Sequence, residues 1–106
     1  MLPVVDRPPA VEIRETEAFS EWLANLKDLR GRAKIQVRID RLRRGNPGDV
    51  APVGEGVSEM RIDYGPGYRL YYVQRGKAVV LLLAGGTKKT QARDIEAAKA
   101  KARDDP

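Results

Sequence analysis

The sequence predicts an α+β domain in which a small antiparallel sheet is covered on one face by a helical hairpin. Residues 57–84 contain three runs typical of strands, separated by short turns. Apolar residues at helical spacing come before these runs, and an alanine-rich segment follows them. We therefore expect the order β-α-α-β-β-β-α in a single domain that spans residues 1–106.

The chain begins with an expected irregular arm, a short strand and a helix. Residues 1–9 contain three prolines, which disfavour regular structure. Residues 11–14 alternate between apolar and polar side chains, as a short strand does. A helix should begin at Thr16 or Glu17, because an apolar stripe at helical spacing follows: Phe19, Trp22, Leu23, Leu26 and Leu29.

The apolar residues of the next segment, residues 32–44, fit both the two-residue period of a strand and the 3.6-residue period of a helix. Its apolar residues alternate like a strand, but Ile35, Ile39 and Leu42 also share one helix face. We favour a helix, because thirteen residues pass before a turn signal. Gly31 should then break the two helices apart and make them a hairpin. Residues 45–56 are rich in Gly and Pro without a period, so we expect a loop.

Three consecutive strands should form a meander. Residues 57–64 and residues 68–74 alternate on either side of a Gly-Pro-Gly turn. Residues 78–84 are apolar on both faces, which is typical of a central strand covered on both sides. The terminal helix should cover residues 91–103, and its apolar face is thin.

The polar face of the first two meander strands carries the predicted site. Met60, Ile62 and Tyr64 should face the core, and Arg61 should face the other way. Arg69 has the matching parity on the next strand. We expect this second face of the sheet to stay open and to carry both arginines.

The composition excludes several kinds of chemistry. The chain has no Cys and no His, so disulfides, thiolate zinc sites, Cys nucleophiles and His acid–base catalysis are ruled out. No group of acidic residues has metal-ligand spacing, so we predict no metal and no cofactor. We find no signal peptide and no run long enough to span a bilayer, and we expect a cytoplasmic protein with no membrane partner.

The net charge of +5 favours an anionic partner. Many of the cations crowd one segment: Arg30, Arg32, Lys34, Arg38, Arg41, Arg43 and Arg44. This cluster fits a surface that grips RNA phosphates, and it fits a solvated helix face about equally well.

Residues 19–99 contain several short motifs whose order along the chain is informative. They are Trp22-Leu23-x-x-Leu26-Lys27-Asp28, Gly31-Arg32-Ala33-Lys34-Ile35, Arg41-Leu42-x-x-Gly45-Asn46, Arg61-Ile62-Asp63-Tyr64-Gly65-Pro66-Gly67-Tyr68-Arg69 and Gly85-Gly86-Thr87-Lys88-Lys89-Thr90-Gln91. With this order, the chain resembles the RelE/ParE superfamily of toxins from toxin–antitoxin modules. Within that superfamily it is most similar to the HigB-like addiction-module killer proteins.

The resemblance implies a type II toxin held in a hetero-oligomer by a cognate antitoxin, expected to be a small helix-turn-helix protein. RelE-like members are metal-independent endoribonucleases (mRNA interferases) that cleave mRNA on the ribosome and inhibit translation. ParE-like members share the fold and inhibit DNA gyrase by binding, without catalysis. We expect the first activity and keep the second as the alternative. A degenerate toxin that only binds an antitoxin or an operator is a third possibility.

The resemblance also implies three catalytic residues. Arg69 matches an arginine that contacts the scissile phosphate, Arg61 matches a basic residue on the preceding strand, and Lys88 matches an acid-donating arginine. Guanidinium and ammonium groups suit the task, because they stabilise the charge that develops on phosphorus. The alternatives are ion pairs with Glu59 or Asp63 for the arginines and a solvated loop position for the lysine.

Five further residues are RNA-binding candidates. Lys89, Thr90 and Gln91 follow Lys88 and are expected to help hold RNA, although Thr90 also suits a helix N-cap. Tyr68 and Tyr71 are assigned to the same face as Arg69, where they would stack on bases.

The sequence departs from the RelE-like pattern in three places. Glu59 and Asp63 stand where basic residues are expected, and a catalytic tyrosine is missing near Asp94. Tyr64, Tyr68 or Tyr71 are candidates to replace that tyrosine, and Asp94 is a candidate base.

Overall fold

The computed structural model describes residues 10–105, which form a five-stranded sheet with helices on both faces. The elements are β1 (Glu12–Glu15), α1 (Glu17–Asn25), α2 (Leu29–Arg43), β2 (Val50–Gly54), β3 (Val57–Ile62), β4 (Tyr68–Arg75), β5 (Val79–Thr87), a 3₁₀ turn (Lys88–Thr90) and α3 (Gln91–Asp104). The predicted α+β fold is confirmed, whereas the predicted arm of residues 1–9 lies outside the described residues.

The sheet has the order β1-β5-β4-β3-β2. β3, β4 and β5 pair antiparallel as the predicted meander requires, and β2 adds an antiparallel strand beside β3. β1 pairs parallel with β5 and makes the sheet mixed. β4 and β5 contain a β-bulge: Tyr71 pairs with Ala84 and Tyr72 with Leu82, so Leu83 has no partner opposite. Within residues 10–105, no helix is long and apolar enough to cross a bilayer.

The two N-terminal helices are joined at Asp28 rather than at Gly31. The Oδ1 atom of Asp28 accepts a hydrogen bond of 2.9 Å from the Gly31 amide and caps α2. Gly31 therefore lies in the first turn of α2. It is buried, and a Cβ at this position would lie 2.6 Å from the ring of Tyr68, so close packing rather than a helix break explains the glycine.

α2 confirms the helical interpretation of residues 32–44. Ile35, Ile39 and Leu42 are buried, whereas Val37, which a strand would bury with Ile35, is exposed. The predicted hairpin packs on one face of the sheet and forms a core that includes Phe19, Leu23, Ile35, Ile39, Met60, Ile62, Leu70, Tyr72, Val80 and Leu82. Leu29, predicted as part of the α1 stripe, is 74% exposed at the start of α2.

The second face of the sheet is not open as predicted, because α3 covers much of it. Ala98 is fully buried in a second core with Val57, Tyr71, Val73, Leu81 and Leu83. Alanine side chains let the helix approach the sheet closely, so a thin apolar stripe is sufficient for docking. The apolar residues of β5 are thus covered on both faces, as predicted.

The predicted loop at residues 45–56 contains a strand. β2 pairs with β3 through a turn at Gly54, Glu55 and Gly56, which all have positive φ angles. Pro52 disfavoured a strand assignment, but β2 lies at the sheet edge, where a residue without an N–H is tolerated.

Candidate functional site

Three elements bring Arg61, Arg69 and Lys88 to one cavity of about 410 Å³. Arg61 on β3 pairs directly with Arg69 on β4, so their side chains leave the same face of the sheet. Lys88 follows β5, and its amide donates a hydrogen bond of 2.8 Å to the Gly67 carbonyl. The three predicted cations are therefore close together, at the end of the sheet face that carries α3.

The turn between β3 and β4 shapes this cavity. Gly65 and Gly67 have φ angles of 55° and 77°, which favour glycine. A Cβ on Gly67 would lie 3.3 Å from Nη1 of Arg69 and 3.3 Å from Cβ of Lys88. The missing side chain at Gly67 therefore leaves room between the two cations.

Arg61 has one carboxylate partner, which is neither of the two that the sequence suggested. Its Nη2 lies 3.2 Å from Oδ1 of Asp49, and the two side chains are 39% and 63% exposed. Its Nε is buried and has no hydrogen-bond partner among residues 10–105. Exposed ion pairs contribute about 0–1 kcal/mol, so an incoming phosphate can compete with Asp49.

Arg69 has unused hydrogen-bonding capacity. Its Nη1 donates a weak bond of 3.3 Å to the Tyr68 carbonyl, and its Nε is buried and finds no acceptor within the described part of the chain. Among residues 10–105, no carboxylate forms an ion pair with it. Since Arg69 lines the cavity, its terminal nitrogens can donate to the oxygens of a phosphate bound there.

A model of the family described as "Phage derived protein Gp49-like (DUF891)" matches residues 21–104. The chain belongs to the Gp49-like family. A relative described as an uncharacterized protein of Haemophilus influenzae is 48% identical over 89 residues, which cover 84% of this chain and 90% of the relative.

The fold of this Gp49-like chain is also that of a solved toxin. A free-state mutant of the E. coli toxin RelE superposes with a TM-score of 0.63 and 14% identity, over 82% of this chain and 96% of the RelE chain. The RelE-like fold expected from the sequence is thus confirmed, and assignment to the HigB-like branch stays a prediction.

The Gp49-like chain buries Tyr68 and Tyr71, so the prediction that they stack on bases is wrong. They are 4% and 0% exposed. Tyr68 lies on the face covered by α1 and α2, because neighbouring residues of a strand point to opposite faces and Arg69 occupies the other. Tyr71 does share the face of Arg69, but α3 covers it.

Both tyrosine hydroxyls donate to carboxylates. Tyr68 Oη lies 2.7 Å from Oδ2 of Asp28, and Tyr71 Oη lies 3.0 Å from Oε2 of Glu59. Burial, together with the bond to Asp28, raises the pKa of Tyr68 to about 12, and burial beside Glu59 raises the pKa of Tyr71. Neither phenol lines the cavity or ionises near neutral pH, so neither replaces the missing catalytic tyrosine.

Thr90 and Gln91 make internal hydrogen bonds. Thr90 Oγ1 accepts a bond of 3.2 Å from the Thr87 amide and donates to Asp94. Gln91 Nε2 donates a bond of 2.7 Å to Glu59. These bonds join the 3₁₀ turn and α3 to the sheet. The side-chain hydroxyl of Thr90 and the side-chain amide of Gln91 are therefore already engaged within the protein.

Two acidic residues near the site have structural roles. Glu59 is 2% exposed and accepts bonds from Tyr71 and Gln91. Asp94 is 8% exposed and packs over Gly86, where it leaves no room for a Cβ. Neither carboxylate lines the cavity, so the candidate base Asp94 lies away from it. Lys88 and Lys89 are exposed, and Lys88 lines the cavity.

Sequence reasoning missed Asp49, which lies at the cavity beside Arg61. It precedes β2 in the segment predicted as a loop, and no motif marked it. Asp63, expected only as an alternative partner for the arginines, also lines the cavity. The cavity thus holds two arginines and a lysine facing two exposed carboxylates.

Proposed function

We propose that this Gp49-like protein is the toxin of a type II toxin–antitoxin module. In this proposal it is a metal-independent, ribosome-associated endoribonuclease of the HigB-like branch, which cleaves mRNA in the cytoplasm and so inhibits translation. The observation that carries the proposal is the convergence of Arg61, Arg69 and Lys88 on one cavity. The fold shared with a toxin supports it.

The three cations suit phosphodiester cleavage by the neighbouring ribose hydroxyl. The 2′-hydroxyl gives its proton to a water molecule as its oxygen attacks phosphorus, and the bond from phosphorus to the 5′-oxygen breaks. The products are a 2′,3′-cyclic phosphate and, once the 5′-oxygen is protonated, a 5′-hydroxyl. Arg69 and Arg61 would bind the non-bridging oxygens, on which negative charge accumulates in the transition state. Lys88 would donate a proton to the leaving 5′-oxygen.

The Arg61–Asp49 pair fits this assignment. An exposed pair with a side-chain carboxylate keeps the guanidinium at the cavity without holding it strongly. A phosphodiester that contacts Arg61 and Arg69 together makes more charge-assisted hydrogen bonds than Asp49 makes alone. We therefore expect RNA to displace Asp49 from Arg61.

The proposed inhibitory partner is a cognate antitoxin, a small helix-turn-helix protein that forms a hetero-oligomer with the toxin. An acidic segment laid over the cavity would neutralise the cations and block RNA at the same time. The complex should therefore lose toxicity and most of its RNA affinity. An antitoxin that leaves the cavity exposed would contradict this steric account.

Incubation with translating ribosomes tests the nuclease proposal. Purified protein is added, RNA 5′ ends are mapped, and the cognate antitoxin is added to a parallel sample. We expect new 5′ ends within coding regions, absent from the sample with antitoxin. Intact mRNA at a protein concentration that arrests growth in cells would refute the proposal.

The alternative is a ParE-like toxin that binds and inhibits DNA gyrase without catalysis. The cavity lining favours this alternative, because it contains no tyrosine for proton transfer. Tyr68 and Tyr71 are buried, and Tyr64, the third candidate, packs against the core beneath α1 and α2. A supercoiling assay with purified gyrase separates the two functions. Inhibition of supercoiling together with intact mRNA would select the gyrase inhibitor.

A further inference from the structure

The side chain of Arg38 on α2 donates hydrogen bonds to two separate stretches of backbone beside the Arg61 cavity. Its Nη1 donates a hydrogen bond of 2.6 Å to the carbonyl of Arg61 on β3. Its Nη2 donates to the carbonyl of Pro47 at 3.0 Å and, more weakly, to that of Asp49 at 3.4 Å. One guanidinium thus joins α2, β3 and the loop before β2.

The loop lies directly on this guanidinium. Gly48 has a φ angle of 75°, and a Cβ there would lie 2.9 Å from Nη2 of Arg38. The Asp49 carbonyl also accepts a bond of 2.9 Å from the Arg61 amide. Both the N–H and the C=O of Arg61 are therefore fixed, one by the loop and the other by Arg38.

We propose that Arg38 is a positioning residue for Arg61. It clamps the loop of residues 47–49 to β3, and the guanidinium and the loop together fix both backbone groups of Arg61, so that its side chain leaves β3 toward the cavity. This inference rests on the proposed function, because it deepens the role of Arg61 in binding a phosphodiester. Arg38 itself acts through Arg61 and does not contact the substrate.

A competing role for Arg38 is direct anion binding. Arg38 lines a neighbouring cavity of about 360 Å³ together with Lys34 and Arg41. Its two terminal nitrogens, however, already donate to backbone carbonyls. The two roles predict different results for a lysine at this position, because lysine keeps the charge but lacks the planar fork that reaches both carbonyls.

The test is a double-mutant cycle on binding of an all-2′-deoxy oligonucleotide, which this chemistry does not cleave. Fluorescence anisotropy at fixed ionic strength compares wild type, Arg38→Lys, Arg61→Ala and the double variant. We expect Arg38→Lys to weaken binding about fivefold, and the double variant to bind no more weakly than Arg61→Ala. Arg75→Lys is the matched control and should bind like wild type, because Arg75 also donates to two backbone carbonyls but lies at the other end of β4.

Amide hydrogen exchange reports directly on the backbone of Arg61, which a binding assay does not. In Arg38→Lys, the amide of Arg61 should exchange faster, while core amides such as that of Leu82 keep their protection. Gly48→Ala pushes the exposed loop away from the guanidinium, so it should reproduce both effects. This second variant keeps the test decisive if Arg38→Lys folds poorly.

Multiplicative losses in the cycle, or unchanged binding by Arg38→Lys, would overturn the positioning role. An absence of measurable binding to wild type would overturn it as well, because no anion site would exist for Arg61 to serve. If the coupling is found but ribosome-bound mRNA stays intact, the nuclease proposal fails and the role of Arg38 stands.

Discussion

Replacing Arg69 with alanine should abolish most of the cleavage activity while leaving the fold intact. Within residues 10–105 the guanidinium makes one weak bond of 3.3 Å to a backbone carbonyl and no ion pair, so little native structure depends on it. The half-buried side chain and the small number of lost contacts put the stability cost at about 0.5–1 kcal/mol.

The loss in catalysis should be much larger. Removing one preorganised donor from a site where negative charge develops costs about 2.7–4 kcal/mol, which is a factor of about 10²–10³ in rate. Arg69→Lys should recover only part of it, since one ammonium cannot present two parallel donors to a phosphate. Single-turnover cleavage of mRNA on programmed ribosomes, quenched at timed intervals, measures this ratio.

Arg75→Ala is the matched control, because Arg75 lies at the other end of the same strand and bonds to the C-terminal end of α3. Its cleavage rate should stay within about twofold of wild type, as for surface changes away from a site. Equal losses in Arg69→Ala and Arg75→Ala would mean that the assay reports net charge alone, and the phosphate-binding role of Arg69 would be refuted.

Three further changes test other parts of the structure. Tyr68→Phe removes the bond to Asp28 and should lower the free energy of unfolding by about 1–2 kcal/mol in a urea titration. Because the pKa of Tyr68 is raised in the folded state, its stabilising contribution is complete below pH 10 and falls as the pH approaches 12. Tyr68→Phe should therefore flatten the plot of unfolding free energy against pH in this range. An unchanged plot would contradict the assigned bond. Gly31→Ala should cost about 1–3 kcal/mol by calorimetry, because its Cβ would lie 2.6 Å from the ring of Tyr68, and a wild-type melting temperature would exclude this overpacking. Lys88→Arg should keep more cleavage activity than Lys88→Ala if a cation is needed there, whereas equal rates in single-turnover assays would remove Lys88 from the mechanism.

The sequence was sufficient for the elements that depend on local pattern. The alternation in β3 and β4 predicted that Arg61 and Arg69 share a face, and their direct pairing follows from the turn between the strands. The helical period of Ile35 and Ile39 likewise gave α2. These features follow from the period of side chains along one or two adjacent elements.

Most of the errors concern features that depend on distant parts of the chain; Tyr68 is an exception, since alternation along β4 alone places it on the face opposite Arg69. Pro52 counts against a strand unless the strand is known to lie at the sheet edge. Tyr71 has the parity of a surface residue, and only the docking of α3 buries it. The contact between Arg38 and the loop before β2 requires the packing of α2 beside β3, which no local pattern encodes.

The β-bulge at Leu83 determines on which side of the sheet the end of β5 presents its residues. Leu83 and Ala84 both face α3, so Gly85 faces Trp22 and Gly86 faces Asp94, the reverse of an uninterrupted alternation. If Leu83 instead paired with Tyr71 without a bulge, each following residue would move one position along β4 and change face. Ala84 would then take the place of Gly85, where a Cβ would lie 2.2 Å from the ring of Trp22. The inserted residue therefore sets the phase of the whole strand end, and with it the approach of Lys88 to the two arginines.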